Sequence, residues 1–198
     1  MKKKNILLGM LIIAILGVLS TSQLRSENSD TEYVASFEPA SFESGACKVS
    51  LQTLENTWTE RNLDVYIPTW LPKEMKFKGI WVVGKENDMG NLAVFIYSSV
   101  NRDTIATAEI AFEVSPMDGI PYDPSNSKGV FTSINGWPVY YDERAPVFYE
   151  EYRELYGADS LLLNVQIGAL NYNFRGEPSL TLNDMFKVIE SMRPVSTQ

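Results

Sequence analysis

The chain contains no histidine among its 198 residues. Nucleophilic systems of the Ser-His-Asp and Cys-His types need an imidazole to carry the proton. Most zinc and copper sites use histidine nitrogen as a ligand, and pH switches near neutrality use its titration. The sequence therefore predicts neither a histidine-dependent mechanism nor a histidine-ligated metal.

Cysteine is almost as scarce, because Cys47 stands alone in the sequence. A single cysteine cannot form an intramolecular disulfide. Gly45 and Ala46 match the end of a lipidation motif, but Ser44 stands where that motif has leucine. The N-terminal apolar run also ends far upstream, at Leu19. We therefore interpret Cys47 as a small linker residue.

Positive charge is the third scarcity, with 17 Lys and Arg against 25 Asp and Glu and a formal net charge of −8. Without residues 1–22, which contain three lysines and no acidic residue, 14 basic and 25 acidic residues remain, a charge of −11. Phosphate backbones and anionic lipid headgroups repel such a surface. We expect no nucleic-acid partner, and membrane contact only through the N-terminal segment.

Residues 1–22 have the three parts of an export signal. Three lysines follow Met1, an uncharged apolar run extends from Ile6 to Leu19, and residues 20–22 are small. The run is shorter than the roughly 20 residues that span a bilayer, which favours cleavage. An uncleaved N-terminal membrane anchor, a single transmembrane helix, is the alternative. In both cases we expect the rest of the chain on the outer side of the cytoplasmic membrane, secreted or anchored.

Composition divides the remaining chain into a spacer and a domain. Residues 23–47 are polar and acidic, which predicts a flexible acidic spacer. The chain as a whole is 44% hydrophobic and 12% aromatic, enough to build a core. Residues 48–195 are therefore expected to form a single extracytoplasmic domain.

Two stretches of this domain have helical periodicity. Leu51, Leu54 and Trp58 share one face of a helix that would begin after Ser50 and end near residue 61. The second helix would begin after Thr181, with Asp184 placed for a capping box. Its apolar face consists of Leu182, Met185, Phe186, Ile189 and Met192.

Between these helices the sequence predicts strands. Alternating or β-branched stretches lie at residues 63–67, 77–83, 92–100, 105–114, 130–134, 139–142, 161–167 and 170–174. Asn135-Gly136 predicts a type I′ hairpin turn, and residues 146–157 suit either a short helix or a loop. The predicted fold is α+β: an antiparallel curved sheet of about 6–8 strands with a C-terminal helix packed on one face.

Three motifs occur in order along the domain. They are P-x-x-L-P at Pro68–Pro72, N-G-x-x-V-Y-Y at Asn135–Tyr141, and the closing stretch LNYNFRGEPSLTLNDMFKVIESM at Leu170–Met192. With these motifs, residues 50–193 resemble a domain-of-unknown-function family of exported or membrane-anchored bacterial and archaeal proteins, similar to the extracytoplasmic part of anti-sigma-factor-like proteins. The resemblance implies a curved sheet like that of lipoprotein-carrier-like domains, and it transfers no catalytic residue.

Two stretches are candidate sites. Residues 115–128 contain Asp118, Asp123 and Asn126, which either ligate Ca²⁺ or are ordinary turn residues. A candidate recognition surface for peptide, glycan or lipid is suggested by a dense set of aromatic residues, which alternatively pack under the sheet. That set comprises Trp137, Tyr141, Tyr149, Tyr152 and Tyr156.

These observations favour binding over chemistry. We expect a non-enzymatic extracytoplasmic binding or sensing domain for an unknown protein, glycan or lipid ligand, with no catalytic residue, cofactor or metal. The alternative is a lipid or lipoprotein carrier with an apolar cavity under the C-terminal helix. A hydrolase that uses a pair of acidic residues is the least favoured of the three.

Overall fold

The computed structural model describes residues 32–34, 46–83, 92–116 and 129–195, and of residues 32–34 it describes the backbone. These residues lie in one compact unit that begins at Glu32. The predicted export signal, the predicted hairpin loop at 84–90 and most of the candidate calcium loop lie outside the described residues.

The described part of the chain contains three α-helices and a 3-10 turn. Helix α1 spans Leu51–Thr59, α2 spans Glu150–Tyr156 and α3 spans Leu182–Glu190, while the 3-10 turn spans Pro72–Glu74. For residues 146–157 the sequence suits either a helix or a loop, and the structure shows helix α2 there.

Eleven strands lie in the same described residues. They are β1 (Glu32–Val34), β2 (Ala46–Val49), β3 (Tyr66–Pro68), β4 (Lys76–Val83), β5 (Leu92–Ser98), β6 (Ile110–Pro116), β7 (Val130–Ile134), β8 (Trp137–Pro146), β9 (Asp159–Ile167), β10 (Leu170–Gly176) and β11 (Met192–Pro194). Nine of them form one antiparallel sheet in the order β1-β2-β4-β5-β6-β10-β9-β8-β7, and β3 pairs with β11 separately.

The sheet confirms the predicted α+β class and its antiparallel pairing. It is open, because β1 and β7 are its two edges. Its nine strands exceed the predicted range by one, since β1 adds a short edge strand. Strand β1 and the first two residues of β2 fall within residues 23–47, the stretch interpreted as a spacer.

Local signals gave the most accurate predictions. The Ser50 side chain accepts a hydrogen bond from the Thr53 backbone N–H at 3.0 Å and caps α1. Thr181 and Asp184 form the predicted capping box of α3, with the Asp184 N–H donating to Thr181 Oγ1 at 3.1 Å. Asn135 has φ 53° and Gly136 has φ 81°, as a type I′ turn requires.

Several strand boundaries differ from the prediction: β8, for example, ends at Pro146 and not at residue 142, and two strands begin later than predicted. Strand β3 begins at Tyr66 and not at residue 63, because Leu63 N–H still bonds the Trp58 carbonyl of α1 at 2.9 Å. Strand β6 begins at Ile110 and not at residue 105. Residues before it form a turn, closed by the Ala108 N–H bonding the Thr104 carbonyl at 3.0 Å.

The two sides of the sheet differ in chemistry. We call the side of β10 that carries Tyr172 and Phe174 the first face, and the side that carries Asn173 and Arg175 the second face. On the first face, fully buried Phe112 stacks on Phe95 at 4.7 Å and lies 4.6 Å from Phe174 between ring centroids. The main hydrophobic core therefore lies on the first face.

Helix α3 contributes to that core. Its residues Met185, Val188 and Ile189 are fully buried in the same cluster as the apolar residues of the first face. The ring of Phe186 meets Tyr141 of β8 edge-on at 5.5 Å. Within the described residues, no helix combines the length and apolar character needed to cross a membrane.

The capping box gives a first testable prediction. Thr181→Ala removes the oxygen that accepts the Asp184 N–H, so we expect a loss of about 1 kcal/mol in the free energy of unfolding, measured by urea denaturation. Asn183→Ala, at an exposed position in the first turn of the same helix, is the control. It should leave stability unchanged or slightly raised, and an equal loss in both variants would contradict the capping role.

Candidate ligand-binding site

A half-open cavity of about 350 Å³ lies on the second face of the sheet. The strand register explains why space remains there. Arg175 of β10 lies between Ala111 of β6 and Leu162 of β9, and Ala145 of β8 lies opposite Ser160 of β9. Since three of these five side chains are small, the volume above this part of the sheet stays unfilled.

The walls of the cavity are mainly apolar. A register shift in β8 between Asp142 and Ala145 turns Ala145 towards the second face, and the chain then crosses the cavity on its way to α2. Phe148 is 85% exposed and lies at the mouth. The apolar wall is formed by Ile105, Ala111, Ala145, Pro146, Val147, Phe148, Tyr149 and Leu162.

The positively charged residue among those that line the cavity is Arg175. Its Nε, Nη1 and Nη2 atoms are all buried, and none has a hydrogen-bond partner within the described part of the chain. Burial lowers the pKa of Arg175, whereas the nearby Tyr152, Tyr149 and Glu113 raise it. An arginine keeps its charge in proteins, so a buried positive charge whose donors make no hydrogen bond to a described residue lies at the wall of the cavity.

The guanidinium lies against two tyrosine rings, one from Tyr149 at the N-terminus of α2 and one from Tyr152 within α2. The central carbon of the Arg175 guanidinium lies 4.5 Å from the Tyr152 ring centroid and 5.1 Å from that of Tyr149. The Tyr152 hydroxyl donates to the Gly176 carbonyl at 3.1 Å, which fixes α2 to β10. The rings favour the cation through their π faces but accept none of its N–H groups through oxygen.

Two acceptors lie beside the guanidinium on the same face. Asn173 is two residues from Arg175 along β10, and Glu113 of β6 is the cross-strand partner of Asn173. The Asn173 Oδ1 atom is buried without a hydrogen-bond partner among the described residues. Burial raises the pKa of Glu113, and attraction to Arg175 lowers it by less, so the pKa stays above its ordinary value of 4.5.

Glu109 is a second acid in a buried environment, but unlike Glu113 its carboxylate is held by several hydrogen bonds. Its carboxylate accepts hydrogen bonds from the hydroxyls of Ser98 and Ser99, at 2.7 and 2.9 Å, and one from the Ser99 backbone N–H. Burial raises the pKa of Glu109, but these bonds outweigh it and hold the pKa below its ordinary value. Glu109 is therefore a satisfied structural carboxylate outside the cavity.

The structure divides the predicted recognition surface into two separate groups. Trp137 meets Tyr66 edge-on at 5.7 Å and, like Tyr141, packs against the main core of the first face. Tyr149, Tyr152 and Tyr156 lie together at α2: Tyr152 is fully buried, and its ring lies 4.8 Å from that of Tyr156. Of the five residues, Tyr149 lines the cavity.

The sequence analysis did not identify the polar residues of the cavity, Glu113, Ser160, Asn173 and Arg175. The available signal was the alternation in β10, where polar Asn173 and Arg175 alternate with apolar Tyr172 and Phe174. This strand was predicted as one arm of a hairpin. No group of three or more possible metal ligands occurs among the residues that the structure describes.

Tyr152 provides the second prediction. Because its side chain is fully buried and hydrogen-bonded, Tyr152→Ala should lower the free energy of unfolding by about 3–5 kcal/mol. Phe148→Ala, at an exposed aromatic four residues earlier, should change it by no more than about 0.5 kcal/mol. A recognition role at the surface for Tyr152 would instead leave its alanine variant as stable as the wild type.

Glu113 provides a prediction about pH. Its folded pKa lies above the unfolded value, so between those two values the native state binds more protons and stability falls as pH rises. Glu113→Gln removes this loss. We expect the variant to melt at a higher temperature than wild type at pH 7, with the difference vanishing below the ordinary pKa of 4.5.

Glu109→Gln is the matched control with the opposite sign. Its folded pKa is depressed, so its stabilising contribution is present above the ordinary value of 4.5 and is lost as pH falls through the folded pKa. The Glu109 variant should therefore melt below wild type at pH 7 and approach it in acid. Shifts of the same sign in both variants would contradict the contrast between the two carboxylates.

Comparison with known proteins adds no second source of information on this site. No protein-family model, curated protein or solved structure matches the chain. The resemblance to a family of exported domains stays a prediction from its motifs.

Proposed function

We propose that this chain is a non-enzymatic extracytoplasmic binding domain, and that the cavity around Arg175 is its ligand site. The observation that carries the proposal is a buried guanidinium whose three nitrogens have no partner among the described residues, inside a mainly apolar cavity. Ligand pockets combine an apolar lining with a few polar groups in this way. The volume of about 350 Å³ is in the range of small-molecule sites.

The position of the cavity favours a small-molecule receptor over the carrier alternative. The carrier hypothesis places an apolar cavity under the C-terminal helix, whereas this cavity lies beside α2 on the second face. We propose that α3 covers the first face, which the buried Met185, Val188 and Ile189 support by packing into the main core. Binding would then occur on the side of the sheet opposite α3.

The export signal predicted from residues 1–22 supplies the location in this proposal. A binding domain on the outer side of the cytoplasmic membrane meets solutes from the surroundings. The strongly acidic composition, −11 after residue 22, disfavours anionic polymers as ligands. A small molecule that enters the cavity and reaches the single guanidinium avoids most of that repulsion.

The test uses 2-phenylethanol, an uncharged molecule with an apolar body smaller than the cavity. Saturation-transfer NMR on the exported full chain should detect binding to wild type. Two variants should abolish the signal: Ala145→Trp, which fills the cavity, and Phe148→Asp, which makes its mouth acidic. Val130→Asp, at an exposed apolar residue of the edge strand β7 that does not line the cavity, is the matched control.

The variants are compared only after their melting temperatures show that they are folded. Since Phe148 is exposed, its variant should fold even if the tryptophan in Ala145→Trp is not accommodated. The proposal would be refuted by a wild-type protein that gives no transfer signal. A signal that persists in both folded cavity variants would place the binding elsewhere and refute it equally.

A further inference from the structure

We infer that the ligand is a zwitterion of the α-amino acid type with a large apolar side chain. This inference rests on the proposed function and names the ligand class for the same cavity. Besides the hydroxyl-bearing Ser160 and Tyr149, the cavity is lined by Arg175, whose donors have no partner among the described residues, and by two acceptors, Glu113 and the Asn173 amide oxygen. A molecule with a carboxylate next to an ammonium group supplies the complement of both sets.

The carboxylate fits Arg175. A guanidinium presents its N–H donors in a planar fork that matches the two oxygens of a carboxylate. The fork is already held in place by the Tyr149 and Tyr152 rings, 5.1 and 4.5 Å from the guanidinium carbon. Because its nitrogens have no hydrogen-bond partner in the described residues, a ligand carboxylate replaces no existing hydrogen bond. Since the nitrogens are also buried, a covering side chain moves aside to admit the carboxylate.

The ammonium group fits the acceptors. Glu113 and Asn173 are cross-strand partners on β6 and β10, so their side chains lie side by side on the second face. Arg175 is two residues further along β10 and points to the same face. The acceptor pair and the guanidinium are therefore neighbours, as the two charged groups of an α-amino acid are.

Charge balance favours a zwitterion over a simple anion. With Glu113 ionised, the cavity is close to neutral before the ligand arrives, because Arg175 and Glu113 have opposite signs. A monoanion would place a second negative charge beside Glu113 in a poorly solvated site, where like charges repel strongly. A zwitterion places its carboxylate beside Arg175 and its ammonium group beside Glu113, so the net charge of the cavity stays close to zero.

The volume and the walls define the rest of the ligand. At roughly 30 Å³ for each water-sized group, about 350 Å³ accommodates about a dozen non-hydrogen atoms. Phenylalanine is of this size, with an apolar side chain suited to the wall formed by Val147, Phe148 and Leu162. The half-open mouth beside Phe148 admits the molecule from solvent.

The experiment compares three molecules that share one apolar body. Isothermal titration calorimetry of the exported full chain is performed with L-phenylalanine, with 3-phenylpropionate, which lacks the ammonium group, and with 2-phenylethylamine, which lacks the carboxylate. We expect phenylalanine to bind at least about ten-fold more tightly than either analogue, since each lost charged hydrogen-bonding group costs about that factor or more.

Two near-isosteric variants separate the two charges. Arg175→Met should weaken phenylalanine and 3-phenylpropionate at least about ten-fold and leave 2-phenylethylamine no weaker. Glu113→Gln should weaken phenylalanine and 2-phenylethylamine but strengthen 3-phenylpropionate. Arg175→Met removes a buried charge without breaking a hydrogen bond to a described residue, so it should fold, as its melting temperature will show.

Three outcomes would overturn the inference. Tightest binding of 3-phenylpropionate, strengthened further by Glu113→Gln, would identify an anion site. Tightest binding of 2-phenylethylamine would identify a cation site. Equal binding of all three with 2-phenylethanol would show that the head group is not recognised, and in these three cases the proposed binding cavity stands. Absence of binding for all four molecules would refute the cavity and the zwitterion together.

Discussion

The guanidinium of Arg175 is the constraint around which the second face is organised. A positive charge taken out of water without hydrogen bonds costs several kcal/mol. Part of that cost is offset by the Tyr149 and Tyr152 rings, at about 0.5–2 kcal/mol for each cation–π contact. Contact with the Arg175 guanidinium therefore stabilises the position of helix α2, in addition to the burial of the helix's own apolar surface.

Strand β10 connects this constraint to the stability of the whole domain. Its alternate residues Tyr172 and Phe174 are fully buried in the main core, while Asn173 and Arg175 face the cavity. Tyr172 also accepts, through its hydroxyl oxygen, the Tyr66 backbone N–H at 2.8 Å and so holds β3 to the sheet. Strand β10 thus contributes side chains to both faces of the sheet. A change in its pairing register that altered the cavity would also disturb the core.

The accuracy of the sequence predictions followed the range of the interaction involved. The caps at Ser50 and Thr181 and the Asn135-Gly136 turn depend on residues at most three apart, and they were predicted correctly. The pairing of β6 with β10 depends on residues far apart in sequence, which periodicity alone does not reveal. The predicted aromatic residues lie in two groups for a related reason. A register shift in β8 between Asp142 and Ala145 separates Tyr141 from Tyr149, and no local sequence pattern indicates that shift.

Glu109 and Glu113 show how two glutamates close together in the sequence can lie in opposite environments. Glu109 receives hydrogen bonds from two serines, so its charge is compensated within the protein. Glu113 and Arg175 attract one another, yet the guanidinium nitrogens have no hydrogen-bond partner among the described residues. Unsatisfied buried groups lower stability, and those that line a cavity mark a candidate site where a ligand, an ion or water completes them. Under the proposed function, this contrast between the two carboxylates makes Glu109 structural and gives Glu113 a part in recognition, with the charged groups of the ligand beside Glu113 and Arg175.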